Sequence, residues 1–402
     1  MKSWITVIGI GEDGLEGLTN SSHQLIIDAE VLIGGVRHLE KIPDYGSLRI
    51  TWGERLFDII KTLNVYKSKK LVILASGDPL EYGIGATLLK VYAPSEIKII
   101  PHQSAFNLAA SRMRWPLVEV ERVTLHGRAL GAINYYLRPG AKILILSWDK
   151  ETPRKLASHL VSVGFGGSKI KVFEYLGGKG EKKFQEHANN WFYSDGADLN
   201  TIALDCKADV EAKFWPRLAG LPEEAFEHDG NITKREIRAI TLAALSPFPG
   251  QMLWDIGAGT GAIGIEWLRT DLSCNAIAVE RNKKRCEVIK RNANRLGVPH
   301  LQIFECTAPG SLLELKQNPD AIFLGGGVSH TGLLKFSWKR LKKRGCLVAN
   351  AVTLEAQKSL FELQSKIGGD FTKVSISRSD LIGKMKGLQP MREVLQLKAQ
   401  KL

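Results

Sequence analysis

The chain has 402 residues, a formal net charge of +13, 44% hydrophobic residues and 24% charged residues. This length exceeds one ordinary domain and predicts two. The composition is that of a globular protein with a large core, and it excludes a disordered chain. No apolar run reaches the roughly 18 residues of a membrane span. The first apolar segment is too short for a signal peptide, so we expect a cytoplasmic location and no membrane partner.

The five cysteines are scattered and include no C-x-x-C pair. This spacing predicts reduced structural thiols, with neither a zinc site nor any other metal site. The positive charge could serve nucleic acid, a small polyanion or solubility alone. The densest basic run, 339–344, is followed by Gly345. It is typical of a helix C-terminus, which favours a structural explanation for these cations.

The first half alternates strand-like and helix-like segments, which predicts an α/β fold. Thr19 and Ser104 are expected to cap helices, because their hydroxyl groups can accept from the backbone of the first turn. The predicted strands are 5–8, 71–74, 97–100, 123–125, 143–146, 170–175 and 201–204, and the further predicted helices are 86–91, 105–113 and 153–163.

Two loops that follow these strands have the composition of ligand loops. Gly9 and Gly11 belong to a G-x-G-x-x-G spelling, but no long helix begins directly after it, which argues against a dinucleotide site. Gly77, Asp78 and Pro79 form a tight loop after the strand at 71–74. Either loop could also be an ordinary turn.

His126 and Arg128 follow the strand at 123–125 in a Leu-His-Gly-Arg stretch. Their position at a strand end leaves two interpretations open. They either contact a substrate or hydrogen-bond to nearby backbone carbonyl groups.

Together these segments resemble the tetrapyrrole methylase family, whose members fold as two small α/β lobes with S-adenosylmethionine (SAM) bound between them. The Leu125 to Arg128 stretch is similar to the branch that methylates carbon 5 in the corrin pathway. The resemblance implies that His126 and Arg128 orient the substrate. It implies SAM contacts from Gly9, Gly11, Gly77, Asp78, Pro79, Ser104 and Ala105.

A charged stretch that ends in Trp215 and Pro216 predicts a domain boundary near residue 215. Beyond it, Thr233 and Glu236 have the spacing of a capping box, which predicts a helix through Leu245. Lys234 and Arg238 lie four apart and share a helix face. They are candidates for holding an anionic substrate, although a solvated helix face explains them equally well.

The most informative stretch of the second half is a glycine-rich loop. An apolar strand at 253–256, interrupted only by Asp255, precedes Gly257, Gly259 and Gly261, and a helix follows. A strand, glycine turn and helix place backbone N–H groups over one point. The next strand, 275–279, is followed by Glu280, at the position where an acidic residue accepts ribose hydroxyls. The alternative is a tight turn in some other α/β protein.

This arrangement resembles the SAM loop of Rossmann-like methyltransferases. With the stretches 228–234, 307–309, 325–327 and 350–355, the second half resembles the carbon-15 methyltransferase and decarboxylase of cobalamin synthesis. The remaining strand-like segments bring the number of strands in this half to seven, which predicts a seven-stranded sheet. The resemblance implies SAM contacts from Thr233, Asp255, Gly257, Gly259, Thr260, Gly261, Glu280, Thr307 and Ala308.

The two resemblances imply an α/β chain with a two-lobed tetrapyrrole methylase domain at 1–215 and a Rossmann-like class I SAM methyltransferase domain at 216–402. They imply two SAM sites per chain and a tetrapyrrole polycarboxylate substrate, methylated at carbons 5 and 15 and decarboxylated at the ring C acetate. Methyl transfer from a sulfonium needs alignment and a dry site more than a strong base. Lys and Arg side chains can pair with the many carboxylates of such a substrate. We also expect a homo-oligomer.

Two other classes of function remain open. One is a nucleic-acid methyltransferase with an accessory N-terminal module. Against it, the glycines at 325–327 stand where amine-methylating enzymes carry an Asn-Pro-Pro-Tyr type motif, and no aromatic-rich basic platform for bases is visible. The other is a non-catalytic SAM-binding regulator, which the two separate SAM patterns disfavour. The sequence therefore favours an enzyme that acts on a small molecule and binds no nucleic acid.

Overall fold

A computed structural model describes residues 3–53 and 56–402, and these form two compact units. The first comprises the described residues of Met1–Arg128 together with Arg138–Lys213. The second comprises Ala129–Leu137 and Phe214–Leu402. The short segment of the second unit is attached by a hydrogen bond of 3.1 Å from Asn134 Nδ2 to the carbonyl oxygen of Asn294. Among the described residues, no helix is both long and apolar enough to cross a membrane.

The first unit contains two five-stranded sheets. The first is parallel throughout, in the order β3-β2-β4-β1-β5. Side chains of β1 alternate between two apolar clusters, with Ile5 and Val7 in one and Ile8 and Ile10 in the other. Both faces are therefore covered, which explains the continuous apolar runs. The strands are β1 (Ile5–Ile10), β2 (Val31–Gly34), β3 (Leu48–Thr51), β4 (Leu71–Ser76) and β5 (Ile97–Ile100).

The second sheet is mixed, in the order β6-β7-β10-β8-β9, and only β6 and β7 run parallel. Its strands are β6 (Glu121–Thr124), β7 (Lys142–Leu146), β8 (Lys169–Glu174), β9 (Lys182–His187) and β10 (Asn200–Asp205). The helices of this unit are α1 (Asn20–Ile27), α2 (Val36–Glu40), α3 (Leu56–Thr62), α4 (Ile84–Leu88), α5 (Ala105–Met113) and α6 (Thr152–Ser162). The predicted α/β class is confirmed, and α5 matches its prediction at both ends.

The prediction missed three strands of this unit, for two physical reasons. β2 and β3 have only four residues each, too few to show a period. β9 lies at the edge of its sheet, and its sequence, KKFQEH, is mostly polar.

The second unit is built on the predicted seven-stranded sheet, in the order β13-β12-β11-β14-β15-β19-β16. The first five strands are parallel, and β19 runs antiparallel to both β15 and β16. The strands are β11 (Met252–Ile256), β12 (Asn275–Glu280), β13 (Gln302–Glu305), β14 (Ala321–Leu324), β15 (Cys346–Ala351), β16 (Asp370–Val374) and β19 (Val394–Gln400). The helices are α7 (Arg235–Leu245), α8 (Ala262–Thr270), α9 (Lys283–Arg295), α10 (Thr331–Arg340) and α11 (Leu354–Ile367).

A separate hairpin follows β16 and was not predicted. It consists of β17 (Ser377–Ile382) and β18 (Met385–Pro390), which pair only with each other. The sequence predicts two strands after the last helix, and the described residues form four there. The hairpin has no buried face, so its residues show no alternation of apolar and polar character.

The basic run at 339–344 has the structural role that the sequence indicated. Its first two residues, Lys339 and Arg340, form the last turn of α10, which ends at Arg340 and not directly before Gly345. Lys401 Nζ donates to the carbonyl oxygens of Trp338 and Lys339 there. The guanidinium of Arg340 lies 5.1 Å from the ring centroid of Trp254.

A buried ion pair links α7 to α8. Arg238 and Glu266 have side chains that are 0% and 1% exposed, and Arg238 Nε lies 2.9 Å from Glu266 Oε1. Nη1 and Nη2 of Arg238 donate to the carbonyl oxygens of Thr233 and Leu221. The Glu266 carboxylate also accepts from the backbone N–H groups of Gly220 and Leu221. Every polar atom of the pair is therefore hydrogen-bonded, which is the condition under which a buried charge pair is tolerated.

Arg238→Met should destabilise the second unit by about 3–5 kcal/mol, because it leaves the Glu266 carboxylate buried without a counter-ion. Adding Glu266→Gln should recover part of that loss, since a neutral amide needs no counter-ion. The free energy of unfolding is measured by urea denaturation, with circular dichroism as the probe. Arg235→Met, at an exposed position on the same helix, is the control and should change stability by less than about 0.5 kcal/mol. Equal losses from Arg235→Met and Arg238→Met would contradict a structural role for the pair.

Candidate active site

In the second unit, the loop after β11 has the backbone shape that only glycine adopts readily. The φ angles of Gly257, Gly259 and Gly261 are 74°, 60° and 76°, all left-handed. A Cβ atom on Gly257 would lie 2.8 Å from the backbone nitrogen of Gly326, in the loop after β14. A Cβ atom on Gly259 would meet nothing within 4 Å. The loop is therefore packed on one side and open at Gly259, where a ligand can approach the backbone.

Asp255 is the buried acid beneath this loop. It is 1% exposed, and its Oδ2 accepts from the backbone N–H of Gly264 at 3.0 Å. Its Oδ1 is buried and has no hydrogen-bond partner among the described residues. Burial raises the pKa of Asp255 to about 7, although the Gly264 N–H works to lower it. An unpaired buried acceptor of this kind suits a cationic donor such as the ammonium group of an amino-acid ligand.

Glu280 ends β12 beside the same loop and is 7% exposed. Its Oε2 accepts from Gly259 N and its Oε1 from Asn282 N, both at 2.9 Å. Each carboxylate oxygen has a second lone pair, so both can also accept a hydrogen bond from a hydroxyl group of a ligand. The sequence predicts Glu280 at the end of the strand after the glycine loop, and there its carboxylate lies beside Gly259. Its contact with the ribose stays a prediction.

The residues after β13 lie on the other side of Glu280. Cys306 N donates to the carbonyl oxygen of Glu280 at 3.1 Å, and this brings Thr307 and Ala308 to the end of β12. Thr307 is exposed and Ala308 half-buried. Their contact with SAM also stays a prediction.

Asn292 on α9 connects the glycine loop to the segment before α7, and the sequence analysis did not identify it. This side chain is fully buried. Its Nδ2 donates to the carbonyl oxygens of Thr260 and Glu227 at 3.1 and 2.9 Å, and its Oδ1 accepts from Glu227 N at 2.7 Å. Asp229 is held to α9 by Arg285 at 2.9 Å. The only sequence signal for Asn292 was an asparagine on the otherwise apolar face of α9.

The predicted capping box at Thr233 is wrong. The N-cap of α7 is Lys234, whose side chain makes no capping bond. Glu223, from an earlier loop, accepts from Arg235 N at 3.2 Å instead. Glu236 is drawn away because it pairs with Arg378 of β17, which also holds Glu223. Burial opposes ionisation of Glu223, but the hydrogen bonds from Arg378 and Arg235 N–H lower its pKa to about 2.

The prediction that Arg238 orients a substrate is also corrected. Its guanidinium is completely buried and each of its three nitrogens donates to Glu266 or to a backbone carbonyl group, so a ligand cannot reach it. Lys234, four residues earlier, is half-buried at the helix start and remains a candidate. Tertiary packing separates two residues that the helical period placed on one face.

In the first unit, the loops after β1 and β4 touch each other. A Cβ atom on Gly9 would lie 1.9 Å from the carbonyl oxygen of Gly77, and Gly77 itself has a φ of 53°. A Cβ atom on Gly77 would lie 2.9 Å from the Cα of Ser104, just before Ala105 opens α5. A Cβ atom on Gly11 would lie 2.5 Å from Oδ1 of Asp13, a buried oxygen with no hydrogen-bond partner among the described residues. The predicted residues therefore converge at the carboxyl edge of the parallel sheet.

Asp78 and Pro79 form the turn that follows. Asp78 Oδ1 accepts from Leu80 N at 2.8 Å, which fixes the turn locally. A Cβ atom on Gly83 would lie 2.6 Å from the carbonyl oxygen of Pro79, so the turn is tightly packed against the start of α4.

His126 and Arg128 are both exposed on the loop after β6. Within the described residues neither side chain hydrogen-bonds to a backbone carbonyl, so the capping interpretation is not supported. The His126 ring lies 5.9 Å from that of Trp148, and the Arg128 guanidinium lies 5.5 Å from the ring centroid of Tyr82.

Comparison with known proteins gives the family. The model of the tetrapyrrole (corrin/porphyrin) methylases matches residues 5–186, and that of the precorrin methyltransferase domain matches 224–401. A relative from a Sinorhizobium species, named precorrin-6Y C(5,15)-methyltransferase [decarboxylating], is 43% identical over 98% of this chain and 96% of its own. The chain belongs to the precorrin-6Y C(5,15)-methyltransferase family. A member from Mycobacterium tuberculosis is 37% identical over 98% of both chains. The solved C-terminal domain of a family member from Rhodobacter capsulatus is 38% identical over 46% of this chain and all of its own, with a TM-score of 0.44.

Membership of this methyltransferase family implies that SAM is the methyl donor. The second unit has side chains and backbone groups that fit parts of SAM. The unpaired Oδ1 of Asp255 suits the ammonium group of its methionine part. The open backbone at Gly259 allows close approach, and Glu280 offers acceptors to hydroxyl groups. In the first unit the fit rests on the touching loops and on the unpaired Oδ1 of Asp13.

The raised pKa of Asp255 predicts pH-dependent SAM binding in the second unit. Free Asp255 binds a proton below about pH 7, whereas a bound ammonium group requires the carboxylate. Affinity should therefore rise roughly tenfold between pH 5.5 and 7, a range in which an α-amino group stays protonated. Calorimetric titration of the whole chain measures it.

Asp255→Asn should remove this pH dependence together with most of the affinity of that site. Asp271→Asn, at a half-buried acid just after α8 whose carboxylate accepts from Ser273, is the matched control and should behave like the unmodified chain. An affinity in the unmodified chain that is equal at both pH values would show that Asp255 does not contact the ammonium group.

Proposed function

We propose that this chain methylates carbons 5 and 15 of precorrin-6B with SAM and removes the carboxyl group of the ring C acetate, giving precorrin-8. One observation carries this proposal. A relative named for both methylations and the decarboxylation is 43% identical over 98% of the chain. No feature of the described site favours a nucleic acid, and we propose that the chain binds none.

We further propose that the two methylations are divided between domains 1–215 and 216–402, with one SAM site in each domain. Carbon 5 is assigned to the first, and carbon 15 with the decarboxylation to the second. Single-activity relatives support the division. A cobalt-precorrin-7 C(5)-methyltransferase from Salmonella typhimurium is 30% identical over 44% of this chain. A probable cobalt-precorrin-6B C(15)-methyltransferase (decarboxylating) from Saccharolobus solfataricus is 33% identical over 38%.

The donor supplies an electrophilic methyl group, so the protein need only hold it in line with a carbon nucleophile and exclude water. In the second unit this falls to the glycine loop, Asp255 and Glu280. Asn292 keeps the loop and the segment before α7 in register. The substrate carries many carboxylates, for which Lys234 in the second unit and Arg128 in the first are the candidate cations.

Replacing one acid in each domain should separate the two methylations. Asp78→Ala opens the turn after β4 and should abolish methylation at carbon 5. Asp255→Ala removes the buried acceptor under the glycine loop and should abolish methylation at carbon 15 together with the decarboxylation. The readout is the mass of the product formed from the reduced precorrin and SAM.

The reaction that survives in each variant is the internal control for folding of the chain. Loss of both methyl groups in Asp78→Ala, or retention of both in Asp255→Ala, would disprove the division by domain.

We propose a homo-oligomer formed through the hairpin β17–β18. Leu381 and Leu388 lie on the same face of this hairpin and are 68% and 74% exposed. Ile382 and Met385 pair across its tip and are 66% and 74% exposed. Apolar side chains concentrated on one small hairpin are typical of a covered surface. A second copy carries the same hairpin and is a self-complementary partner.

We also propose a cytoplasmic location, where the five free thiols would stay reduced.

The double variant Leu381→Glu/Leu388→Glu should shift the protein to a monomer of 44.4 kDa, because charged side chains cannot be buried unpaired in a contact. Light scattering after size-exclusion chromatography measures the mass. Val118→Glu/Val210→Glu changes two residues that are 95% and 99% exposed, and it should leave the mass unchanged. A wild-type chain that is already monomeric would refute the oligomer.

A further inference from the structure

Two large aromatic side chains of the first unit are half-exposed, and each lies next to a basic residue. Tyr82 is 49% exposed and Trp148 is 54% exposed. Arg128 and His126 lie against them, at 5.5 and 5.9 Å from the respective ring centroids. We refer to Tyr82, His126, Arg128 and Trp148 as the aromatic platform.

Backbone hydrogen bonds bring His126, Arg128 and Trp148 together. Arg128 N donates to the carbonyl oxygen of Leu125 at 3.1 Å, and Gly127 has a φ of 68°, so His126 and Arg128 belong to one tight turn. Leu125 N donates to the carbonyl oxygen of Leu146 at 2.9 Å. This bond ties the turn to the end of β7, two residues before Trp148. Because β6 and β7 are parallel, both loops lie at the carboxyl edge of their sheet.

Tyr82 is held in a conformation that a bulky residue rarely adopts. Its φ is 56°, in the left-handed region that L-residues other than glycine rarely adopt. Its hydroxyl donates to the carbonyl oxygen of Arg122 at 3.2 Å, and Arg122 is paired with Glu81. These contacts hold the Tyr82 ring in a half-exposed position. Strain that surrounding contacts maintain is characteristic of ligand-binding positions.

The platform adjoins the loop assigned to the methyl donor. Tyr82 lies three residues beyond Pro79, and the next residue, Gly83, packs so closely on the Pro79 carbonyl that a Cβ atom would come within 2.6 Å of it. A ligand resting on the Tyr82 ring is therefore next to the Gly77–Asp78–Pro79 turn.

We propose that Tyr82 and Trp148 are substrate-binding residues for the carbon-5 methylation, on which the conjugated part of the tetrapyrrole packs. Arg128 would pair with one of its carboxylates. A flat, electron-rich macrocycle with carboxylate side chains needs apolar ring faces and cations together, and the platform supplies both. The cation–π contact of Arg128 is solvent-exposed, so the guanidinium can turn to a carboxylate at small cost. This inference rests on the proposed function and adds the residues that hold the substrate.

Trp148→Leu and Tyr82→Leu should each raise the KM for the tetrapyrrole in the carbon-5 step about tenfold, which corresponds to about 1.4 kcal/mol for each lost ring contact. Trp148→Phe and Tyr82→Phe keep a ring and should retain most of the activity. Methylation at carbon 15 and the SAM stoichiometry of the same full-length variants should stay unchanged, which a general folding defect would not allow. Phe192→Leu, at an aromatic residue of the first unit that is 71% exposed, is the matched control.

Direct binding separates this inference from the proposed function. Precorrin-6B is titrated into the full chain by calorimetry, so that the measurement of its binding does not depend on Trp148 itself. If the unmodified chain binds and methylates it but both leucine variants behave like Phe192→Leu, the platform is wrong and the function stands. If the unmodified chain binds it, with weaker binding in both leucine variants, but leaves carbon 5 unmethylated, the function fails and the platform stands. If the unmodified chain neither binds nor methylates it, both fail.

Discussion

Both candidate sites depend on the same constraint, which is the contact of two loop backbones at the carboxyl edge of a parallel sheet. In the first unit Gly9 meets the carbonyl of Gly77, and in the second Gly257 meets the backbone of Gly326. Neighbouring parallel strands end at the same edge, so their loops must share that space. A methyl group at either contact would force the loops apart. The glycines therefore serve the packing of the protein first, and they create the surface on which a ligand can lie second.

Buried polar groups then fix the parts of the second unit around this edge. Asn292 uses both ends of its amide to hold the glycine loop and the residues near Glu227. Arg238 and Glu266 fix the segment that leads into α7. These groups are fully paired, whereas Asp255 keeps one oxygen unpaired in the same core. A fully bonded scaffold around one incompletely bonded acid is what a ligand-binding site requires, because only the incomplete group gains by binding.

The net charge of +13 has more than one role in this fold. Some cations stabilise the protein itself, among them Arg238 in its buried pair and Arg340 over an aromatic ring. Others, such as Arg128, lie on the surface without a carboxylate partner among the described residues. Only the second kind is available to a polyanionic substrate. Net charge alone therefore overstates the electrostatic attraction that the site can offer.

The sequence by itself determined the fold class, the seven-stranded sheet, the caps at Thr19 and Ser104, and the placing of Glu280 beside the glycine loop. These features are local, since they follow from apolar periodicity, cap chemistry and the order of strands. The tertiary structure alone decided how α7 starts, because the capping acceptor comes from Glu223 in another loop.

Tertiary packing also decided that Arg238 is buried, that Asn292 joins two segments, and that 377–390 forms a hairpin with no buried face. It brought Tyr82 and Trp148 to the basic residues on the loop after β6. Apart from the hairpin, each of these features pairs residues that are far apart in the chain. Their spacing therefore carries no period and no motif, and only the packed fold brings them together.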